Sequence, residues 1–220
     1  MIKLHPNSQQ LSEFAQGQCD AGVALIISAH IDMCRCCKQK LASIEAELAR
    51  EAMAEKAPAD PAFDSMLANI LQMPAASGIE VPVQSQKLEL DGKEFSLPRS
   101  LQRYASKING WSHMAGKLWQ AKVDLGIDGR ADFIYMEKGG SVPEHTHRGS
   151  ELTLVLDGEF SDGVHDYDTG DFIVRDSQHI HTPHTDADEG CLVFSILDKP
   201  LHFTSGIARL LNPFSQLFFK

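Results

Sequence analysis

Apolar positions recur at helical spacing through roughly the first 75 residues, and the spacing predicts four short helices. Ser8 or Asn7 can cap the first, which stops near Gly17. Asp20 can cap a second, in which the run Val23-Ala24-Leu25-Ile26-Ile27 leads to His30. A third starts near Cys34, with Leu41, Ile44, Leu48 and Ala52 on one stripe. Asp60-Pro61 reads as an N-cap followed by proline at the first helical position. Behind it, Phe63, Met66, Leu67, Ile70 and Leu71 follow the i, i+3, i+4, i+7, i+8 pattern. That stripe is wide for a helix of this length, which marks it as a contact element for a partner or for the preceding helices.

Residues 73–86 break the pattern with two prolines, a glycine and little periodicity, as a linker does. The texture then changes to short alternating segments at 118–125, 131–136, 151–156, 172–174 and 191–196, punctuated by Asp128-Gly129, Asp157-Gly158 and Asp162-Gly163. Many short strands at close spacing predict an all-β barrel or sandwich. The expected organisation is two domains: an all-α unit over 1–75, a linker over 76–90 and an all-β unit over 91–220.

Composition narrows what such a chain does. A net charge of -10 argues against direct binding to nucleic acid, which needs clustered Lys and Arg. Residues 1–85 hold 6 basic and 10 acidic groups, so no basic module hides in the first part. No run approaches the ~18 apolar residues of a membrane span, and no signal-peptide pattern opens the chain, so a cytoplasmic protein is expected. The hydrophobic fraction of 43% is that of a soluble globular protein. Five cysteines, three of them within Cys34–Cys37, point to metal or redox chemistry rather than a disulfide framework.

His30, Cys34 and Cys37 are spaced H-x3-C-x2-C. On a continuous helix they fall at about 0°, 40° and 340°, on one face, while Cys36 falls at about 240°. Imidazole and thiolate together suit tetrahedral zinc, and a closed site needs a fourth donor. His5, beside Pro6, is the first choice, with Cys19 and Cys36 as alternatives. Metal here would be coupled to folding, because four short helices make a small core.

A second constellation runs from Gly139 to Gly158 and fits G-x5-H-x-H-x3-E-x6-G. On a strand His145 and His147 share a face, and Glu151 can return to the same centre after a turn at Gly149. His181 follows Gly170 by eleven residues and is the expected fourth donor, with His179 and His184 as rivals. Two or three imidazoles and a carboxylate suit Zn, Fe, Mn or Ni. His113, His165 and His202 read as ordinary histidines, and Cys191 as a buried strand residue.

His5-Pro6 with His30-x3-Cys34-x2-Cys37 resembles the zinc-binding anti-sigma domain, and the two later segments resemble the cupin, a jelly-roll barrel. In the cupin's second motif, G-x5-P-x-G-x2-H, Asp176 and Gln178 stand here in place of proline and glycine. The order of the two parts, the length of 220 residues and Leu97-Pro98-x2-Leu101 resemble the ChrR-type anti-sigma factors. The resemblance implies a zinc-binding helical domain that sequesters an extracytoplasmic-function (group IV) sigma factor. It also implies a metal-binding cupin needed for release under oxidative stress such as singlet oxygen. Zinc is the expected head metal, and zinc or another divalent transition metal the cupin's. The cupin leaves room for a homodimer. The rival expectation is a metal-dependent cupin enzyme, a dioxygenase or isomerase, with an accessory helical domain. A DNA-binding regulator is disfavoured, since 34–40 offers only Arg35, Lys38 and Lys40.

Overall fold

The structure, a computed structural model, describes residues 1–54, 61–74, 86–108 and 110–214. Helices α1 (Ser8–Ala15), α2 (Ala21–Met33), α3 (Arg35–Ala54) and α4 (Pro61–Gln72) come first. A hairpin, β1 (Lys87–Leu90) and β2 (Lys93–Ser96), and a short helix α5 (Arg99–Ala105) lead into the remaining strands. These are β3 (Ser112–Met114), β4 (Leu118–Val123), β5 (Arg130–Met136), β6 (Gly140–Ser141), β7 (His145–His147) and β8 (Glu151–Ser161). After them come β9 (Asp166–Asp168), β10 (Phe172–Arg175), β11 (His184–Thr185), β12 (Cys191–Leu197) and β13 (Leu201–Phe203). The 3-10 turn Ile207–Phe214 closes the described chain. Most of the linker expected over 76–90 lies outside the described residues, and its last four residues form β1.

Local chemistry accounts for the helix ends. Asn7 accepts from the Gln10 amide while the Gln10 side chain returns to the Asn7 amide, a reciprocal cap. Gly17, at φ 68°, ends the turn after α1. Asp20 sits at the N-cap of α2 without a side-chain cap bond. The α2 sequence is apolar on nearly every side, and seven of its thirteen residues are buried where it packs against α1, α3, α5 and β8. Gly22 permits the approach to the sheet, since a Cβ there would lie 2.9 Å from Ile127 Cδ1.

The stripe expected on α3 is buried only at its start. Leu41 is buried, Ile44 and Leu48 are half-buried and Ala52 is exposed. α4 carries its apolar stripe into solvent, with Phe63, Met66, Leu67, Ile70 and Leu71 between 52% and 75% exposed. The packed head is therefore α1, α2 and the first turns of α3.

The nine-stranded sheet has the order β3-β4-β5-β12-β8-β11-β6, with β9 and β10 also paired to β8, and β13 pairs with β7 apart from it. The sheets curl into a half-barrel. One face, with Phe133, Leu154, Phe172 and Phe194, shares a core with Leu11, Ile26, Ile27 and Leu41 of the head and Leu101 of α5. The other face carries a second core of Val155, Phe160, Tyr167, Ile173 and Val193. β12 is buried at all seven positions, as a strand covered on both faces must be.

β8 makes the curl. Its register against β12 shifts between Leu192 and Val193, so one residue bulges out of the ladder, and the strand's far half goes on to pair with β9. Gly158 beside the bulge has φ 77°, and a Cβ there would fall 2.1 Å from the Gly190 carbonyl oxygen. Gly158→Ala is expected to cost roughly 2–4 kcal/mol from backbone strain and the clash together. Urea unfolding measures it, and a cost below about 1 kcal/mol would contradict this role for the bulge.

Candidate metal centres

The first cluster forms where α2 meets α3. The helix is not continuous there: Cys34 is the C-cap of α2 and takes extended dihedrals, φ -108° and ψ 105°. The single-face helical argument therefore does not hold as drawn. His30 comes from the last turn of α2, Cys34 from the corner and Cys37 from the first turn of α3. His5 arrives from the N-terminal segment ahead of α1. The His5, His30, Cys34 and Cys37 donor atoms all lie within 4.8 Å of one another.

The individual separations are more telling. His5 Nδ1 is 3.4 Å from His30 Nε2, from Cys34 Sγ and from Cys37 Sγ, and His30 Nε2 is 3.3 Å from Cys37 Sγ. Tetrahedral bonds of about 2.0–2.3 Å put neighbouring donors about 3.3–3.8 Å apart, so the four donors fit a closed site able to hold a divalent metal. His30 is fully buried, and its Nδ1 lies 2.9 Å from the Gly170 carbonyl oxygen, an outer partner that leaves Nε2 free to ligate. Cys36 is exposed, and Cys19 is half-buried with its thiol toward the Gln10 carbonyl. Neither stands among the four.

Burial keeps His30 and Cys37 in their neutral forms. It pulls His30 down to about 4, so the imidazole carries a lone pair at neutral pH. Burial, with the Cys34 thiol next to it, pushes Cys37 up to about 12.

The second cluster gathers His145 and His147 of β7, Glu151 at the start of β8, and His181. His181 and His145 exchange both backbone hydrogen bonds at 3.1 Å, which holds the fourth residue opposite the first. His181 Nε2 lies 2.9 Å from His145 Nε2 and 3.0 Å from His147 Nε2, and Glu151 Oε2 is 3.2 Å from His147 Nε2. Ser195 donates to Glu151 Oε1 at 2.7 Å, and His145 Nδ1 meets the Pro143 carbonyl at 2.8 Å. His147 Nδ1 is buried without a hydrogen-bond partner among the described residues. Burial lowers all three histidines, His181 to about 4, so this set too offers neutral nitrogens beside a carboxylate and can coordinate a divalent metal.

The rivals fall away for local reasons. Asp176 Oδ1 accepts from the Gln178 amide and meets His179 Nδ1 at 2.8 Å, an Asx turn that stands in for the absent proline and glycine. It also holds His179 at the surface. His184 turns its Nδ1 toward the Thr182 carbonyl. His113 meets the Trp119 ring edge-on, and Cys191 is fully buried.

Sequence reasoning missed a third group. Asp162 accepts from Tyr167 and Arg175, each at 2.6 Å, and Arg175 also touches the Tyr167 hydroxyl. Burial alone would raise the Asp162 carboxyl, but these donors and the His165 and Val164 amides outweigh it and lower its pKa. The turn pair Asp162-Gly163 was the only signal. All three residues line a cavity of about 630 Å³ together with His145, Glu151 and His181. That volume suits a small organic molecule, and the second cluster opens on it.

Fold and clusters define a two-part protein: a helical head with a His/Cys centre, mounted on a mostly-β part with a His/Glu centre. The family described as "ChrR Cupin-like domain" matches residues 128–199. Over 98% of this chain and 99% of the relative, the sequence is 26% identical to the anti-sigma-E factor ChrR of Cereibacter sphaeroides. The similarity to ChrR thus extends over both parts of the chain. The crystal structure of Rhodobacter sphaeroides SigE in complex with the anti-sigma ChrR has a chain of the same fold, with TM-score 0.67 and 23% identity over 90% of this chain and 100% of that one. An RmlC-like cupin protein from Ralstonia eutropha matches with TM-score 0.41 and 16% identity, over 46% of this chain and 69% of its own.

Metal uptake by the head should release protons, because the metal ligand is thiolate and Cys37 holds its proton up to about pH 12. The buried histidines of both clusters are already neutral and contribute none. Apparent zinc affinity of the metal-free chain is expected to rise at least about tenfold per pH unit between about pH 6 and pH 8. An indicator dye in lightly buffered solution and a competing chelator measure the two quantities. Affinity independent of pH would exclude the thiols.

Proposed function

We propose that this chain is a zinc-dependent anti-sigma factor. The head, residues 1–75, holds an extracytoplasmic-function (group IV) sigma factor inactive in the cytoplasm. The β part, residues 91–220, acts as the signal-responsive element, releasing the partner under oxidative stress such as singlet oxygen. Residues 76–90 join them, and the half-barrel is read as a cupin jelly roll.

The observation that carries this reading is α4. Five large apolar side chains on one short helix stand more than half exposed, where a helix of a monomeric core would bury them. An amphipathic helix of this kind lies in a groove of its partner and supplies apolar anchors. The similarity to ChrR, named an anti-sigma-E factor and solved in complex with SigE, supplies the class of partner. No helix among the described residues is long and apolar enough to cross a membrane, which is compatible with a cytoplasmic partner.

His5, His30, Cys34 and Cys37 are assigned to one zinc ion. Two thiolates and two imidazoles at tetrahedral spacing favour zinc and leave no position open, so its task is to hold the head's shape. His145, His147, Glu151 and His181 are assigned to zinc or another divalent transition metal. Three neighbouring pairs of these donors sit 2.9–3.2 Å apart, close to the about 3 Å between neighbouring donors around a six-coordinate ion, which leaves positions for a molecule from the cavity. This metal would supply Lewis acidity to such a molecule. Glu151 is oriented by Ser195, and His145 by the Pro143 carbonyl, whatever occupies the centre. The centre serves as a sensor rather than a catalyst.

The test is co-expression with the extracytoplasmic-function sigma factors of the same organism, each in turn. A one-to-one complex should co-purify. Leu67→Asp with Ile70→Asp should weaken it by about 100-fold or more while leaving the melting temperature nearly unchanged, since both side chains are exposed. Undiminished binding by that pair would sink the role of α4.

A further inference from the structure

The head supplies all four donors of the His/Cys cluster, yet two of them are held in place by the β part. His30 turns its outer nitrogen to the Gly170 carbonyl at 2.9 Å, and its ring meets Phe172 edge-on with centroids 5.9 Å apart. His5 is the last residue of an N-terminal strap bound to the same turn. The Lys3 and Leu4 amides donate to Asp171 Oδ1 at 2.6 and 2.9 Å, and the Leu4 carbonyl accepts from the Phe172 amide at 3.1 Å. Lys3 Nζ reaches the Asp166 carbonyl at 2.9 Å and Asp168 Oδ2 at 3.0 Å.

Ile2 closes the strap over Gly170, where a Cβ would fall 2.5 Å from Ile2 Cδ1. Asp171 itself is fully buried, and its second oxygen accepts from the Asp168 amide at 2.9 Å, so one carboxylate fastens strap to turn. Beyond the turn, β10 runs along β8 from Phe172 opposite Leu154 to Arg175 opposite Glu151. A four-residue ladder therefore separates the partner of His30 from a member of the second cluster.

We propose that the turn 168–172 is the outer shell of the head's metal centre, with Asp171 as the positioning residue that sets how tightly the metal is held. This rests on the reading of the head cluster as a zinc site. An outer partner fixes the orientation and basicity of a metal-binding imidazole, and its loss typically lowers metal affinity by 10–100-fold. Here one turn does this for His30 directly and for His5 through the strap. The head's zinc affinity is therefore a property of the whole chain, not of its own four donors.

The test is zinc transfer from the full chain to the chelator 4-(2-pyridylazo)resorcinol, in a His145→Ala, His147→Ala background so that the head alone is read. Asp171→Ala should release zinc about tenfold faster or more than this parent. Asp171→Asn keeps an acceptor toward Lys3 and Leu4 while giving up the bond from the Asp168 amide, and should stay within about threefold of it. Amide exchange at Lys3 and Leu4 should speed up in the alanine variant and not in the asparagine one. If Asp171→Ala does not fold, Ile2→Ala serves instead, with release at least about threefold faster because the strap loses its packing on Gly170. Equal release rates for the parent and the folded alanine variant would overturn the proposal, as would an Ile2→Ala rate equal to the parent's. A parent that binds no zinc would instead overturn the assignment of the cluster on which the proposal stands.

Discussion

The head depends on a single convergence: two sulfurs and two imidazole nitrogens meet inside a corner made by a break between two helices. Without the break at Cys34, α2 and α3 would be one rod with an apolar first half and a charged second half. With it, the chain turns back and three of the four donors are buried, His30 and Cys37 completely. Such groups are costly to bury with no bonding partner. An ion that binds all four meets that requirement and ties the N-terminal strap, α2 and α3 into one body. The packed region is small, essentially α1, α2 and the start of α3, so little else in the head competes with the cluster as an organiser.

The sheet gives that body a floor. One face of β5, β12, β8 and β10 shares a core with α2 and α5, while the opposite face lines the cavity with its second cluster. The sheet is thus a thin wall between the head and the cavity. Anything that moves β10 is felt on both sides of it. α4 is the exception to this economy, since it puts its whole apolar stripe outward. On the function proposed above, that division gives binding to α4, shape to the His/Cys cluster and sensing to the cavity.

Much of this was legible in the residues. H-x3-C-x2-C and H-x-H-x3-E are local patterns, and local patterns survive any tertiary arrangement, so both donor sets could be named from spacing and from resemblance. The helical and β textures divided correctly, and the proline-containing stretch marked the change. The boundary between the second and third helices was expected near Cys34, but the extended corner that it makes there was not legible, because Arg35-Cys36-Cys37-Lys38 has nothing that forbids a helix. The fate of the α3 stripe was also hidden, since Ala52 and Leu41 look alike on a helical wheel and differ only in what lies opposite. The contacts of Asp171 and the Asp162–Tyr167–Arg175 group escaped for a related reason. Asp171 meets Lys3 and Leu4 across nearly the whole chain, and a lone Gly-Asp pair reads as a turn wherever it occurs. Asp176 is the reverse case: an apparent departure from a motif that the structure resolves as an equivalent turn made with a side-chain acceptor.

X-ray absorption at the zinc edge tests the central claim most directly, on the zinc-loaded full chain carrying His145→Ala and His147→Ala so that one site remains. The account requires two sulfur neighbours at about 2.3 Å and two nitrogen neighbours at about 2.0–2.1 Å. A shell of nitrogen and oxygen alone, with no sulfur, would contradict it.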